Sequence, residues 1–220
     1  MHQLQPQPEV TTSLQFNTRP TSAFAENSIP AQRLQWVNLH TEVQQVDWLI
    51  LHFNHWFSHL NVTLIKGDFE PEYFPATSVN SARIQFAHGF FNSALHEISH
   101  WTIAGEERRK LADLGYWYAP DGRTAEQQAL FEQVEIKPQA IEWLFAQAFG
   151  RKFRVSLDNL TGDGGNGSTF KDNVFEQLQK YFNGEAKLPR DAERFIHCIC
   201  ICCRAGQPLQ IDEFKREMLD

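Results

Sequence analysis

The sequence predicts an α+β fold in which a helix-rich single domain carries a small sheet. Apolar residues recur at helical spacing over most of the chain after Arg33, and the short β-branched runs stand apart from most of those helices. The 220 residues are 42% apolar and include 18 Phe and 6 Trp, which suffice for one sizeable core. The apolar residues are too scattered to form a membrane-spanning segment.

Residues 1–33 are predicted to form a flexible arm, because they are rich in Gln, Pro, Thr and Ser and lack apolar periodicity. The folded domain is therefore expected over residues 34–220. The N-terminus lacks the positive charge and apolar stretch of a secretory signal, so we expect a cytoplasmic location. The 27 acidic residues outnumber the 20 Lys and Arg, which argues against nucleic acid as a direct ligand.

All four cysteines lie within residues 198–203. This spacing cannot bridge distant segments, and it departs from the paired spacing of structural zinc sites. We therefore expect reduced thiols on a buried helix, because free Cys is among the most buried residue types.

Periodicity and turn residues place the elements in order. Residues 34–57 should form one or two helices, followed by strands at 62–65 and 82–87. An amphipathic helix should cover residues 90–103, closed by Gly105. Thr124 should cap a helix over 125–150, in which Pro138 marks a kink or break. The remaining predictions are a strand at 153–157, a glycine-rich loop at 161–169, and helices at 173–182 and 192–203.

The 125–150 helix should present one apolar face and one polar edge. The core positions predicted on it are Leu130, Phe131, Val134, Ile141, Leu144, Phe145 and Ala148. The polar edge should include Glu132, Glu135 and Glu142.

The strongest local signal is the HExxH motif of residues 96–100, inside the amphipathic helix. A spacing of four residues places His96 and His100 on one helix face, where their nitrogens can converge on one metal ion. The alternative is that both are hydrogen-bonded histidines at the edge of the core. The helical context favours a metal site.

A site with two histidines needs another ligand, and a carboxylate normally completes such a set. Glu135 is the first choice, because two packed helices could offer ligands to one point. Glu132 and Glu142 are the alternatives, since their spacing allows all three to share a helix face. Periodicity cannot decide among them.

The same ligand set supports two chemistries. With zinc, Glu97 would be a general base that activates a bound water for peptide hydrolysis. With iron, three ligands on one face leave positions for dioxygen and substrate, and Glu97 would instead orient a ligand or handle a proton. A third hypothesis is a non-catalytic module, which would require a closed site with four ligands.

Five separated blocks of sequence surround the motif in a specific order. They are GDFEPEYFPA at 67–76, FAHGFFNSALHEISHWTIAGEERR at 86–109, DLGYWYAPDGR at 113–123, VEIKPQAIEW at 134–143 and VSLDNL at 155–160. Together these blocks closely resemble the elongation factor P hydroxylase family, over about residues 45–205.

The resemblance implies hydroxylation of a lysine side chain on elongation factor P after that lysine has been extended by a lysyl group. It implies a metal-dependent oxygenase with a metal site at His96, His100 and a downstream Glu, placed at Glu135. The reaction type implies Fe(II) with dioxygen as co-substrate. The HxD pairing usual in 2-oxoglutarate enzymes is absent at the metal helix, so 2-oxoglutarate is not expected.

An extended lysine carries ammonium groups, so its pocket should offer carboxylates or aromatic faces. The carboxylate candidates are Glu70, Asp121 and Asp158, and the aromatic candidates are Tyr73, Tyr116, Trp117 and Tyr118. For each of them an ordinary turn or packing role is at least as plausible. The segments 67–76 and 115–123 are the predicted docking surface for elongation factor P. An HExxH zinc metallopeptidase is the alternative function.

Overall fold

A computed structural model describes residues 12–14, 36–115, 123–157 and 167–220. These residues contain three strands and five helices, together with short 3-10 turns. In chain order they are α1 (Glu42–Trp56), β1 (Val62–Lys66), β2 (Glu72–Phe74), β3 (Ala82–Phe86), α2 (Phe91–Ile103), α3 (Ala125–Ala148), α4 (Ser168–Asn183) and α5 (Arg190–Cys203). This arrangement confirms the predicted helix-rich α+β class. No helix within the described ranges combines the length and the apolar character needed to cross a bilayer.

The sheet has the strand order β1-β3-β2. Strands β1 and β3 are parallel, with Val62 opposite Ala82 and Lys66 opposite Phe86, whereas β2 is antiparallel to β3. The predicted strands at 62–65 and 82–87 are confirmed. Strand β2 was not predicted, because its three residues lie between two prolines and are too short for a visible alternation. Since β3 leads into α2 through one short turn, the sheet fixes where the HExxH helix begins.

An aromatic cluster joins the helices that surround the HExxH segment. The ring of Trp101 on α2 lies 5.1 Å from Phe57, just after α1, and 5.5 Å from Phe53 on α1. The ring of Phe195 on α5 lies 4.8 Å from Phe145 on α3 and 5.9 Å from Phe53. These rings are buried, and their edge-to-face contacts hold α1, α2, α3 and α5 around one core.

Helix α3 is the central element, because it packs against α2, α4 and α5. Thr124 caps it in a capping box with Gln127, as the sequence predicted. Of the kink or break predicted at Pro138, the break is wrong, since the helix continues to Ala148. Residues 138–146 are all buried, so packing of this half keeps the helical geometry although proline removes one backbone hydrogen bond.

Two further predictions for α3 are wrong. Leu130 and Val134 were placed in the core but are exposed among the described residues. Glu135 and Glu142 were placed on a polar edge but are buried, with 1% and 8% of their surface exposed. The N-terminal half of α3 lies at the surface, whereas its C-terminal half lies in the core. Apolar periodicity predicts one buried face along a whole helix, so it could not predict this change.

The predicted strand at 153–157 is also wrong. Residues 151–157 form an irregular segment beside α3. The amide group of Gln139 donates to the Ser156 carbonyl at 2.7 Å and accepts from the Ser156 N–H at 3.0 Å. Gln128 donates to the Leu157 carbonyl at 3.1 Å. The alternation of apolar and polar residues over 153–157 reflects packing on a helix, whose glutamines satisfy the backbone.

The C-terminal predictions are largely confirmed. Helices α4 and α5 cover the predicted 173–182 and 192–203, although α4 begins earlier, at Ser168. Of the predicted loop at 161–169, residues 161–166 lie outside the described residues. Cys198, Cys200 and Cys202 are buried on α5 and Cys203 is half-buried, all as free thiols, which confirms the buried-helix prediction.

Three described residues of the predicted N-terminal arm contact the C-terminal segment. Ser13 forms an antiparallel bridge with Gln210, and the Leu14 N–H donates to the Leu209 carbonyl at 3.0 Å. Leu14 itself is 3% exposed. At residues 12–14 the chain is therefore anchored, and the rest of the predicted arm lies outside the described ranges.

Candidate metal centre

Helix α2 presents two imidazoles from one face. Its buried side chains include Leu95, Ile98 and Trp101, which hold the opposite face in the core. His96 and His100 lie one turn apart, and their Nε2 atoms are separated by 3.1 Å. Two ring nitrogens at this distance require a proton or a cation between them, because two lone pairs would repel each other.

Glu135 of α3 completes this group. Its Oε1 lies 3.2 Å from Nε2 of His100 and its Oε2 lies 3.7 Å from Nε2 of His96. Donor atoms bound to one first-row ion at about 2.1 Å stand roughly 3.0–3.4 Å apart. The 3.1 Å and 3.2 Å separations of this group lie in that range, and the 3.7 Å separation between His96 and Glu135 lies just outside it. Among the described residues, this is the one group of three or more His, Cys, Asp or Glu side chains close enough to hold a metal.

The two alternative carboxylates occupy different positions. Glu142 lies two turns beyond Glu135, and its Oε2 is 2.8 Å from Nδ1 of His96, on the other side of that ring. Glu132 is half-buried and accepts a hydrogen bond from Nε2 of Gln128 at 3.1 Å. Of the three candidates from the sequence, Glu135 is the carboxylate that the structure brings to the Nε2 atoms of both histidines.

Gln139 lies one turn after Glu135 and was not predicted from the sequence as a site residue. Its Nε2 lies 3.4 Å from Oε2 of Glu135 while the same amide group pairs with Ser156. Gln139 thus connects Glu135 to the segment 151–157. One feature of the sequence could have identified Gln139. Glu135, Gln139 and Glu142 are spaced by four and three residues, which places three polar side chains on one buried helix face.

The electrostatics of the group follow from burial and close opposite charges. Burial lowers the pKa of His96, but the hydrogen bond to Glu142 and the charges of Glu142, Glu135 and Glu97 outweigh burial and raise it to about 10. Burial raises the pKa of Glu135, but His100 and His96 together lower it to about 2. Glu135 is therefore ionised at neutral pH, and the surrounding carboxylates favour a positive charge at this point.

Glu97 lies beside the group but is not part of it. Its side chain is half-buried, and burial raises the pKa of its carboxyl group, an effect that Glu135 and Glu142 reinforce and that the two histidines oppose. A raised pKa brings a carboxyl group closer to a proton-exchanging role than an ordinary surface carboxylate.

The predicted substrate-binding residues have different placements. Glu70 is exposed in the turn after β1. Tyr73 is buried on β2, and its hydroxyl donates to the Arg109 carbonyl at 2.8 Å, so its polar atom is already engaged within the fold. The remaining candidates Tyr116, Trp117, Tyr118, Asp121 and Asp158 lie outside the described residues.

The fold and the site define an α+β protein in which an HExxH helix and a second helix bring two histidines and one buried carboxylate to one point. Comparison with known proteins narrows this class. The chain belongs to the elongation factor P hydroxylase family, because the family model described as EpmC, elongation factor P hydroxylase, matches residues 52–214. A curated relative from Haemophilus influenzae, named elongation factor P lysine hydroxylase, is 51% identical over 147 residues, covering 66% of this chain and 82% of the relative. The resemblance seen in the sequence is thus confirmed.

Proposed function

We propose that this protein hydroxylates a lysine side chain of elongation factor P that has been extended by a lysyl group. The observation that carries the proposal is the convergence of His96, His100 and Glu135 in a member of this family. The named activity of the Haemophilus influenzae relative supports the substrate. The enzyme would be an oxidoreductase of the monooxygenase type that acts in the cytoplasm.

Both histidines and Glu135 would hold a divalent metal, which we propose to be Fe(II). When bound, the metal would supply the oxidising power that hydroxylation of an unactivated C–H bond needs and that no side chain has. Three protein ligands would leave coordination positions for dioxygen and for approach of the substrate. No fourth His, Cys, Asp or Glu joins the group within the described part of the chain, which favours an open site over a closed structural one.

Access to the site differs between its two sides. The side chain of His96 is 27% exposed, whereas that of Glu135 is 1% exposed. We therefore propose that the modified lysine approaches from the His96 side and that α3 closes the other side. Glu97, the residue after His96 on α2, would hold or release a proton at its carboxyl group during turnover.

The partner would be elongation factor P itself, without direct contact with nucleic acid or a membrane. Glu70, Tyr73, Tyr116, Tyr118, Asp121 and Asp158 remain the proposed contacts for the extended lysine. Of the two that the structure describes, exposed Glu70 is the better candidate for an ammonium group, because the Tyr73 hydroxyl is engaged with Arg109.

The test is the intact mass of elongation factor P carrying the lysyl extension, co-produced with the enzyme so that the cell supplies the reductant. Wild type should add one oxygen atom, about 16 Da, and His96→Ala, His100→Ala and Glu135→Ala should each abolish the gain. Glu132→Gln is the matched control on the same helix and should retain it. A parallel sample of elongation factor P without the extension shows whether the lysyl group is required.

Two outcomes would contradict the proposal. If wild type with bound metal leaves the mass unchanged, a zinc hydrolase becomes the better assignment. If the gain survives in Glu135→Ala, the ligand set is wrong and Glu132 or Glu142 must be tested in its place.

A further inference from the structure

We infer that Glu142 is a positioning residue that holds the His96 ring with its Nε2 lone pair directed at the metal point. This inference rests on the proposed metal site and assigns a role to a carboxylate outside the ligand set. Its basis is the 2.8 Å contact between Oε2 of Glu142 and Nδ1 of His96.

The two nitrogens of His96 face different partners. Nε2 lies near His100 Nε2 and Glu135, whereas Nδ1 faces Glu142. A neutral imidazole that gives its Nε2 lone pair to a metal carries its proton on Nδ1, so Nδ1–H donates and the Glu142 carboxylate accepts. A carboxylate at this position selects the tautomer that can bind the metal and makes the ring more basic.

Glu142 is in the wrong place to be a ligand itself. The two nitrogens of an imidazole ring point away from each other, so a group bonded to Nδ1 is separated by the ring from an ion at Nε2. Glu135, seven residues earlier on the same face of α3, reaches the Nε2 side instead. One helix thus contacts both nitrogens of the same histidine.

The burial of Glu142 supports this role. The carboxylate side chain is 10% exposed, and a buried carboxylate is costly unless a charged or hydrogen-bonding partner compensates it. His96 is such a partner. The surrounding residues 138–146 are all buried on α3, so the Glu142 side chain is presented from a well-packed backbone.

Metal affinity tests the inference without a hydroxylation assay. The purified protein is stripped with a chelator and titrated with Co(II) against a chromophoric competitor. Glu142→Ala should weaken Co(II) binding by about 100-fold and Glu142→Gln by about 10-fold, because the amide oxygen still accepts from Nδ1 but carries no charge. Glu132→Gln, a carboxylate replacement on the same helix, should bind Co(II) as wild type does.

The state of the His96 ring gives a second readout, which a merely structural role would not change. In long-range proton–nitrogen NMR spectra of the Zn(II)-loaded, 15N-histidine-labelled protein, His96 should show a slowly exchanging Nδ1 proton. That proton should exchange rapidly with solvent in Glu142→Ala. His100 should keep its wild-type nitrogen shifts in the same variant.

Two results would overturn the inference. One is a Glu142→Gln variant that binds Co(II) with wild-type affinity and shows an unchanged His96 signal. If Glu142→Ala does not fold, the Glu142→Gln variant alone tests the role of Glu142. The other is a Co(II) absorption spectrum altered as strongly by Glu142→Gln as by Glu135→Gln, which would make Glu142 a ligand. Neither readout needs elongation factor P, so failure of the hydroxylation test would not overturn the role of Glu142. Failure of the Co(II) and NMR tests would likewise not overturn the proposed hydroxylation.

Discussion

At the scale of single residues, the three glutamates of the site have different surroundings. Glu135 faces both Nε2 atoms, Glu142 faces Nδ1 of His96, and Glu97 lies beside the group on α2. All three are glutamates on helices, so the direction and the burial of their side chains distinguish them. The chemistry expected of each follows from which atom it faces.

Glu97→Gln should separate proton handling from metal binding. Since Glu97 is outside the group of three, the variant should bind Co(II) within about threefold of wild type, whereas Glu135→Gln should lose roughly 100-fold or more. Hydroxylation by Glu97→Gln should continue at a reduced rate, measured as the mass gain of elongation factor P over time. Complete loss of all activity with intact metal binding would instead favour a general-base role for Glu97.

The sequence allowed the helix that carries His96 and His100 to be predicted, because HExxH falls within a strong apolar periodicity. It could not predict the contact of Glu142, since helix spacing shows which residues share a face but not which atom of a neighbouring helix they reach. Gln139 was missed for a similar reason. The Gln139 amide acquires its partners only when the segment 151–157 packs against α3, and helix spacing does not show that packing.

At the scale of elements, helix α1 combines a titratable group with aromatic packing. His52 is buried and stacks on Trp48 at a ring distance of 3.7 Å, and its Nδ1 lies 2.8 Å from the Trp48 carbonyl. Burial lowers the pKa of His52, which the hydrogen bond to Trp48 partly offsets and the nearby His55 reinforces. Burial within the folded helix therefore favours the neutral form of the imidazole.

His52→Phe should make the protein less sensitive to acid. Because the pKa of His52 in the folded state is below the ordinary value of 6.5, the unfolded chain binds more protons as the pH falls below 6.5, and wild type loses stability there. The free energy of unfolding of wild type should therefore fall relative to that of His52→Phe between pH 7 and pH 5, measured by urea titration.

Replacement of an exposed histidine on the same helix is the control. His55→Gln should show a smaller pH-dependent difference from wild type, because exposed His55 acts on the pKa of His52 only through its charge, whereas His52→Phe removes the buried group itself. An equal difference for both variants would mean that burial of His52 is not the cause.

The elements also show where sequence patterns fail. Helix α3 was predicted from its cap and periodicity, yet its continuation through Pro138 depends on burial from several neighbouring helices. The segment 151–157 alternates like a strand but pairs with glutamine side chains. In both cases the deciding interactions come from residues distant in sequence, which local propensity cannot include.

At the scale of the whole molecule, the two ends of the described chain meet. Leu14 and Ser13 contact residues 209–210, and Phe214 lies edge-on to Trp143 of α3 with ring centroids 5.3 Å apart. Arg204 at the end of α5 pairs with Glu213 at 2.7 Å. The C-terminal segment therefore packs on α3 at Trp143, and residues 12–14 are joined to that segment.

Leu14→Ala should lower the free energy of unfolding by about 2 kcal/mol, because Leu14 is buried and the change leaves a cavity. The measurement is urea unfolding followed by Trp fluorescence. Val37→Ala, at an exposed apolar residue, should change stability by less than about 0.5 kcal/mol. Equal unfolding midpoints for wild type and Leu14→Ala would show that residues 12–14 do not contribute to the fold.

Because α3 contacts both nitrogens of His96, a small slide of α3 along α2 would break both contacts together. The imidazole would then lose Glu142 at Nδ1 and Glu135 near Nε2 in one movement. Metal uptake would therefore report the alignment of two helices as well as the presence of the ligands. A packing variant far from the histidines could for that reason resemble a ligand variant in an activity assay, and only a separate measurement of folding would tell the two apart.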